Sequence, residues 1–350
     1  MKISGLARIV VCLAILLLGS LTVAGPPEGG YHLLKKIPLG AAAGGGEYFD
    51  YITFDPDARR IYLSHGTEVK VVDADSWAVV GNITGLRRCH GVALVKEVGK
   101  GFITDGDSGT VLMFDLKTLK VTGEVKADAD ADSIIYDPAS KHLFSFNGDS
   151  RNSTVIDPRS GTVFRTLRLP GSPEFPVADG QGTVYVNSED QSEVMVIDSR
   201  ALALRARWPV APAGAPTAMA MDREHRRLFI GGRNPQVLVV MDADSGKVIQ
   251  SFPISAGVDA NIYEPETRLV FSSTREGMIH IFHEDTPDKF SVVAAVKTEY
   301  GAKTMALDPK THHLLVDTAD FGQPPAPTPQ RPHPNPAPIS GTFRLLVYGR

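Results

Sequence analysis

The sequence of 350 residues predicts an all-β protein, a single seven-bladed β-propeller with four antiparallel strands in each blade. Two observations support this fold class. A unit of about 42 residues recurs along the chain, and each unit contains four short apolar or alternating stretches separated by Asp, Pro, Gly and Ser. No helical period competes with this pattern. Four strands in a repeat of 40–45 residues are typical of one propeller blade.

Two acidic turn positions mark the units. The first lies inside segments such as YITFDPDARRIYLS and ANIYEPETRLVFSS, and Val95 stands near its one missing acid. The second ends segments such as VKVVDADSW. The acids of the first position are Asp55, Asp137, Asp179, Asp222, Glu264 and Asp308, and those of the second are Asp73, Asp115, Asp157, Asp198 and Asp242. Short acids in turns accept backbone hydrogen bonds, so we expect a structural role for both sets.

The ends of the chain predict how the ring closes. The last unit has two clear strands, then a proline-rich stretch, then TFRLLVYGR, so one of its four strands is missing. Residues 31–39, YHLLKKIPL, form a predicted strand without a unit of their own. We expect this strand to join the last blade as its outer strand. The proline-rich residues 322–341 are then an insertion between the second and third strands of that blade.

The repeat segments are similar to those of a known family. DPDARRIYLS and DREHRRLFIGG, followed by VVDADSW and VVMDADSG, resemble the YncE-like, YVTN-type propeller family over about residues 31–350. The resemblance implies the same propeller fold. It implies no single function, because that family includes binding proteins and proteins of unknown role.

The first 24 residues predict a secretory signal peptide. Lys2 and Arg8 give the first residues a positive charge, and a short apolar run follows them. The small residues Thr22-Val23-Ala24 then precede a cleavage point at Gly25. The mature propeller domain, residues 25–350, is then periplasmic or secreted, without a transmembrane anchor, and we expect a monomer. Cys89 is the one cysteine after residue 24, so no internal disulfide can form.

The charge of the chain disfavours nucleic acid as a partner. The formal net charge is −4, and loss of the two cations Lys2 and Arg8 makes it −6 in the mature chain. Broad binding to a phosphate backbone requires a basic surface. We therefore expect a small molecule or a protein as the partner.

One position in each blade predicts a shared site. It lies five residues before the first acidic turn position and begins the innermost strand, next to the central channel. Read blade by blade, the position holds Asp50, His90, Asp132, Glu174, Thr217, Asp259 and Lys303. All seven are polar and six are ionisable, and clustered ionisable groups in a concavity are typical of functional sites. His65, in a turn at the same rim, is an eighth candidate for ligand binding. A water-filled channel with polar walls is the alternative.

The residues leave two functions open. The first is an exported binding scaffold that holds a ligand, a cation or a protein partner at this channel mouth. The second is a metal-assisted hydrolase, lactonase or lyase in which His90 acts as base or ligand. A divalent cation such as Ca²⁺ would then be held by oxygen-rich ligands drawn from Asp50, His90, Asp132, Glu174 and Asp259. The proline-rich insertion emerges at the same rim and could cover the mouth, present a partner surface or act as a spacer.

Overall fold

The computed structural model describes residues 30–328 and 334–350, which form seven four-stranded antiparallel sheets. The innermost strands of neighbouring sheets contact one another, and those of the first and last sheets do so as well, so the sheets are the blades of a closed ring. The signal peptide predicted at residues 1–24 lies outside the described residues. Within the described part of the chain, the one helical element is the 3-10 turn Lys96–Val98, and no helix is long and apolar enough to cross a membrane.

Blades 1 to 3 use the first part of the chain after strand β1. Strand β1 is His32–Gly40, and blade 1 consists of β2 (Phe49–Asp55), β3 (Arg60–His65), β4 (Glu68–Asp73) and β5 (Val79–Thr84). Blade 2 consists of β6 (Cys89–Val95), β7 (Lys100–Asp105), β8 (Thr110–Asp115) and β9 (Val121–Lys126). Blade 3 consists of β10 (Ala131–Asp137), β11 (His142–Asn147), β12 (Asn152–Asp157) and β13 (Thr162–Arg168).

Blades 4 to 7 use the remainder. Blade 4 consists of β14 (Pro173–Ala178), β15 (Thr183–Ser188), β16 (Glu193–Asp198) and β17 (Ala203–Pro209), and blade 5 consists of β18 (Pro216–Asp222), β19 (Arg227–Arg233), β20 (Gln236–Asp242) and β21 (Val248–Pro253). Blade 6 consists of β22 (Val258–Glu264), β23 (Leu269–Thr274), β24 (Met278–Thr286) and β25 (Lys289–Lys297). Blade 7 contains β26 (Met305–Asp308), β27 (His313–Thr318) and β28 (Phe343–Gly349).

The ring closes as the sequence predicts. The last sheet has the order β1-β28-β27-β26, so the N-terminal strand is the outer strand of blade 7. Strand β1 pairs antiparallel with β28, and Ile37 is opposite Leu345. The predicted fold class is therefore confirmed, including its closure. The proline-rich segment lies between β27 and β28.

Burial explains the residue pattern of the strands. The second and third strands of each blade are buried on both faces by the neighbouring blades, and β16 is therefore apolar without interruption from Val194 to Ile197. The outer strand has one face in solvent, so β17 alternates between exposed and half-buried residues. Apolar clusters fill the space between neighbouring blades. The cluster between blades 7 and 1 includes Leu63, Leu345 and also Ile37 from β1.

The acids of the first turn position join neighbouring blades. Asp55 accepts backbone N–H groups of its own turn, as expected. In several blades a basic residue of the next blade also contacts this acid, as Arg59 of blade 1 does with Asp308 of blade 7 at 2.6 Å. Arg226 contacts Asp179 in the same way at 3.2 Å. Because these acids are buried, the pairs connect neighbouring blades.

Candidate functional site

A polar cavity of ≈ 310 Å³ lies at the end of the ring where the innermost strands begin. Its lining consists of Tyr48, Asp50, Tyr51, Arg88, His90, Asp130, Asp132, Glu174, Arg233, Asp259, Arg275 and Lys303. Six of the seven positions predicted from the repeat are in this set. Their convergence follows from the ring, because each blade places the start of its innermost strand at the same end of the channel. Their role in ligand binding remains a prediction.

Two predicted site residues do not line the cavity. His65 is the fully buried last residue of β3, where its Nε2 lies 2.6 Å from Glu47 Oε2 and its ring stacks on Phe343 at 4.0 Å. Thr217 is also buried, and its hydroxyl donates to the Ala215 carbonyl at 3.3 Å. The shared rim was correct for His65, but its side chain points into the contact between blades 1 and 7.

His90 is the centre of one half of the lining. Its Nδ1 lies 2.7 Å from Asp50 Oδ2 and 3.0 Å from Asp132 Oδ1. The Tyr48 hydroxyl, 3.2 Å from the same nitrogen, donates to Asp50 Oδ2 at 2.8 Å. Burial alone would lower the pKa of His90, but the hydrogen bonds and charges of Asp132 and Asp50 outweigh it and raise the pKa to about 10. The imidazole is therefore a cation at neutral pH.

This environment does not suit His90 for general base catalysis. A base must be unprotonated at the working pH, whereas His90 holds its proton between two carboxylates. Its other nitrogen, Nε2, is buried without a hydrogen bond in the described residues and faces Gly106, where an added Cβ would lie 2.8 Å away. His90 therefore acts as a fixed positive charge that holds the first three blades together at the mouth.

Lys303 and Arg233 neutralise the other half of the lining. The Lys303 ammonium contacts Asp259 and lies 3.2 Å from Asp50 Oδ1. The guanidinium of Arg233 donates to Asp259 and, through Nε, to the Val258 carbonyl at 3.1 Å. Burial alone would lower the pKa of Lys303, but Asp259 and Asp50 raise it above its usual value. Three of the four carboxylates for which we expected a bound cation thus have cations supplied by the chain itself.

The predicted metal site is assembled only in part. Asp50, His90 and Asp132 offer three ligand atoms within 4.8 Å of one another, and these groups are chemically suitable for a divalent ion. Glu174 and Asp259 are not in this cluster. An ion on Nδ1 would have to displace the proton that both carboxylates hold, and Asp50 is already shared with Lys303. The fit to Ca²⁺ or another divalent ion is therefore poor.

Three lining groups have no partner of opposite charge. Among residues 30–328 and 334–350, the carboxyl groups of Glu174 and Asp130 and the Arg275 guanidinium form no hydrogen bond and no ion pair. Burial, with the nearby charges of Asp132 and Glu189, raises the pKa of Glu174 well above its usual value. Burial and Asp132 raise the pKa of Asp130 too. The mouth therefore contains an acidic side in blades 3 and 4 and an unpaired cation in blade 6.

The sequence analysis did not assign six charged or aromatic lining residues to the site, namely Tyr48, Tyr51, Arg88, Asp130, Arg233 and Arg275. Tyr48, Arg88 and Asp130 each lie two positions before one of the predicted residues Asp50, His90 and Asp132. These three residues immediately precede the innermost strands of blades 1 to 3, so the repeat places them at the same end of the ring. Arg233 ends β19 and Arg275 follows β23, both next to the turns between the second and third strands of their blades, where side-chain direction does not follow the strand period.

Comparison with solved structures supports the fold. The chain is similar to one described as Kuenenia stuttgartiensis Hydrazine Synthase, with a TM-score of 0.67 and 15% sequence identity, over 76% of this chain and 91% of that chain. At this identity the likeness shows the propeller fold alone. In all, 1731 chains of solved structures match, which is typical of a widespread architecture. No family model and no curated protein matches the sequence. Membership of the YncE-like family therefore remains a prediction.

Proposed function

We propose that this protein is a binding scaffold that holds a small zwitterionic molecule, with one anionic group and one amino group, in the cavity at the channel mouth. The observation that carries the proposal is the pattern of pairing in the lining. Most of its charged groups neutralise one another, and the exceptions are Arg275 on one side and the carboxyl groups of Glu174 and Asp130 on the other.

The positions of these groups in the ring suit a ligand that spans the channel. Blade 6, which carries Arg275, is across the axis from blade 3, which carries Asp130, and Glu174 is in the adjacent blade 4. The raised pKa values of the two acids reflect burial and repulsion by like charges, which an ammonium group of a ligand would relieve. A guanidinium without a partner is suited to a carboxylate. The cavity volume of ≈ 310 Å³ is at the lower end of the roughly 300–1,000 Å³ of small-molecule sites.

The chemistry of the lining supports binding over catalysis. His90, the candidate base of the enzyme hypothesis, is protonated at neutral pH. Cys89, next to it in sequence, points away into the apolar packing between blades 1 and 2, and burial raises the pKa of its thiol to about 12. A thiol that stays protonated is a poor nucleophile. The two residues that a hydrolase or lyase would most readily use are therefore inactive in this arrangement.

The proposal is tested by ligand screening with matched variants. Thermal shift and calorimetry would compare α- and ω-amino acids with their N-acetyl and amide derivatives, which lack one of the two charges. We expect a zwitterion to bind and each derivative to bind about 10- to 100-fold more weakly, since a hydrogen bond to a charged group is worth about 1.5–3 kcal/mol. R275Q should show the same loss, because it removes the unpaired cation.

The matched control is R87Q, which removes an exposed arginine before β6, at the same end of the ring, that does not line the cavity. R87Q should bind the zwitterion as the unaltered chain does. If no zwitterion binds, or if R275Q binds as tightly as R87Q, the proposal is wrong.

A further inference from the structure

A second cluster of ionisable groups lies at the end of the ring opposite the mouth, between blades 5 and 6. Asp222 ends the innermost strand of blade 5, and His225 follows in the turn after it. Glu284 comes from β24, the third strand of blade 6. The three residues offer one nitrogen and two carboxylate oxygens that all lie within 4.8 Å of one another.

The cluster is arranged around one imidazole nitrogen. His225 Nδ1 lies 2.7 Å from Asp222 Oδ2 and 3.1 Å from Glu284 Oε1. Both carboxylates are buried, with 3% and 1% of their side-chain surface exposed, whereas 28% of the His225 side chain is exposed. Two buried anionic groups therefore face a single nitrogen that has an open side toward solvent.

One oxygen of this cluster has no hydrogen bond. The Tyr263 hydroxyl donates to Glu284 Oε2, whereas Oε1 is buried and lacks a hydrogen-bond partner in the described residues. Nδ1 carries at most one proton, and the shorter contact indicates that it donates to Asp222. An unpartnered buried carboxylate oxygen is costly, and a native structure rarely retains one without a functional reason.

The repeat does not require this cluster. Three residues after the turn acid, other blades have Ala58, Ser140, Thr267 and Thr311, and only blade 5 among the seven has histidine there. Strand β24 has nine residues, whereas the third strands of blades 1 to 4 have six. Its extension carries Glu284 to the turn of blade 5. Two departures from the repeat, in different blades, thus meet at one point.

We propose that Asp222, His225 and Glu284 bind a divalent first-row metal ion, such as Zn²⁺, that joins blade 5 to blade 6. One imidazole with two carboxylates suits Zn²⁺ better than Ca²⁺, which prefers six to eight oxygen ligands. Ligands at about 2.1 Å from a tetrahedral ion are about 3.4 Å apart. The observed separations of 2.7 and 3.1 Å therefore need to widen only slightly. The exposed side of His225 leaves room for a water molecule as the fourth ligand.

The test uses the full mature chain after treatment with a chelator. Zn²⁺ should bind with a stoichiometry of one ion per chain and raise the melting temperature, because an ion that binds only the folded state stabilises it. Co²⁺ added in place of Zn²⁺ should give the visible absorption of a four- or five-coordinate site. H225A and E284Q should each lose the Co²⁺ absorption and weaken Zn²⁺ binding at least tenfold.

Two control variants locate the ion. H312A removes a histidine that pairs with Glu264 at the same end of the ring, at 2.7 Å, without a third ligand, and it should leave metal binding unchanged. H90Q disrupts the cluster at the mouth and should also leave metal binding unchanged. The proposal is wrong if the unaltered chain gives neither a Co²⁺ spectrum nor a Zn²⁺-dependent melting shift. It is also wrong if H225A and E284Q, shown by circular dichroism to be folded, bind the ion as the unaltered chain does, or if H90Q alone abolishes binding.

Discussion

At the scale of residues, the channel mouth depends on a lysine that is almost completely buried. Lys303 has 10% of its side chain exposed and contacts the carboxylates of Asp50 and Asp259, which come from two other blades. Removing one partner of a buried ion pair leaves an uncompensated charge, at a cost of roughly 3–5 kcal/mol. Here the loss is partly offset, because Asp50 keeps His90 and Asp259 keeps Arg233.

We therefore predict that K303M lowers the free energy of unfolding by about 2 kcal/mol, below the full cost of an unpaired buried charge. Urea denaturation at neutral pH measures this change. K297M is the matched control, since Lys297 is exposed on the outer strand β25 and a surface substitution usually changes stability by less than about 0.5 kcal/mol. Equal stability of K303M and K297M would contradict the ion-pair role.

The protonation of His90 gives a prediction for pH dependence. Its pKa is raised from an ordinary value of 6.5 to about 10, so the charged form stabilises the fold fully below pH 6.5, and this contribution disappears as the pH rises through about 10. The stability difference between the unaltered chain and H90Q should therefore be greatest at pH 6 and shrink toward pH 10. The urea midpoints of both chains across this pH range measure the stability difference. Titrating groups that the two chains share contribute equally to both midpoints, so their contributions cancel. A difference that does not change with pH would contradict the assignment.

Much of the site at this scale could be predicted from the repeat. Side chains at equivalent positions of identical strands point the same way, which brought Asp50, His90 and Lys303 to one cavity. The repeat does not specify the partners of each group. Sequence alone indicated a ring of carboxylates in need of a cation, but Arg233 at the end of β19 supplies part of that charge, and its side-chain direction depends on packing that no period reveals.

At the scale of elements, the proline-rich insertion is held at its base. Phe321 pairs with Pro338, and Gly322 N–H donates to the Ala337 carbonyl at 3.0 Å, so the two arms of the segment begin side by side. The Ser340 hydroxyl donates to Glu47 at 2.7 Å. Asn335 of the insertion lines a cavity that shares Arg233 and Arg275 with the mouth, which places this part of the segment at the mouth side of the ring.

Because the arms are already joined, the insertion can be shortened without separating β27 from β28. We predict that replacing residues 323–336 by Asn-Gly, a common two-residue hairpin turn, leaves the protein folded with a melting temperature within a few degrees of the original. Circular dichroism and thermal denaturation measure this outcome. In the shortened chain, F321A should cause a further loss, since Phe321 packs on Phe49 and Tyr300. An insoluble or unfolded shortened chain would show that the segment is part of the core.

At the scale of the whole molecule, the fold was the most predictable feature because the same pattern is repeated in every blade. Where one blade departs from the pattern, as at Val95 in place of the turn acid, the spacing of the other blades still assigns the position of its strands. The ends were predictable for a physical reason: a blade with an unpaired strand exposes a sheet edge, and joining the two ends of the chain removes it. The cluster of Asp222, His225 and Glu284 could not be predicted, because it depends on departures from the repeat in two different blades.

Closure of the ring gives the last prediction. Strand β1 pairs with β28 and contributes Ile37 and Leu39 to the apolar cluster between blades 7 and 1. A chain that begins at residue 41 loses this burial, at about 1.5–3 kcal/mol for each large apolar side chain, and exposes the edge of β28. We expect it to melt at a lower temperature and to self-associate through that edge, as measured by light scattering after size-exclusion chromatography. A chain that begins at residue 31 keeps β1 and should behave as the mature protein does. If the two truncated chains have the same melting temperature and mass distribution, β1 does not close the ring.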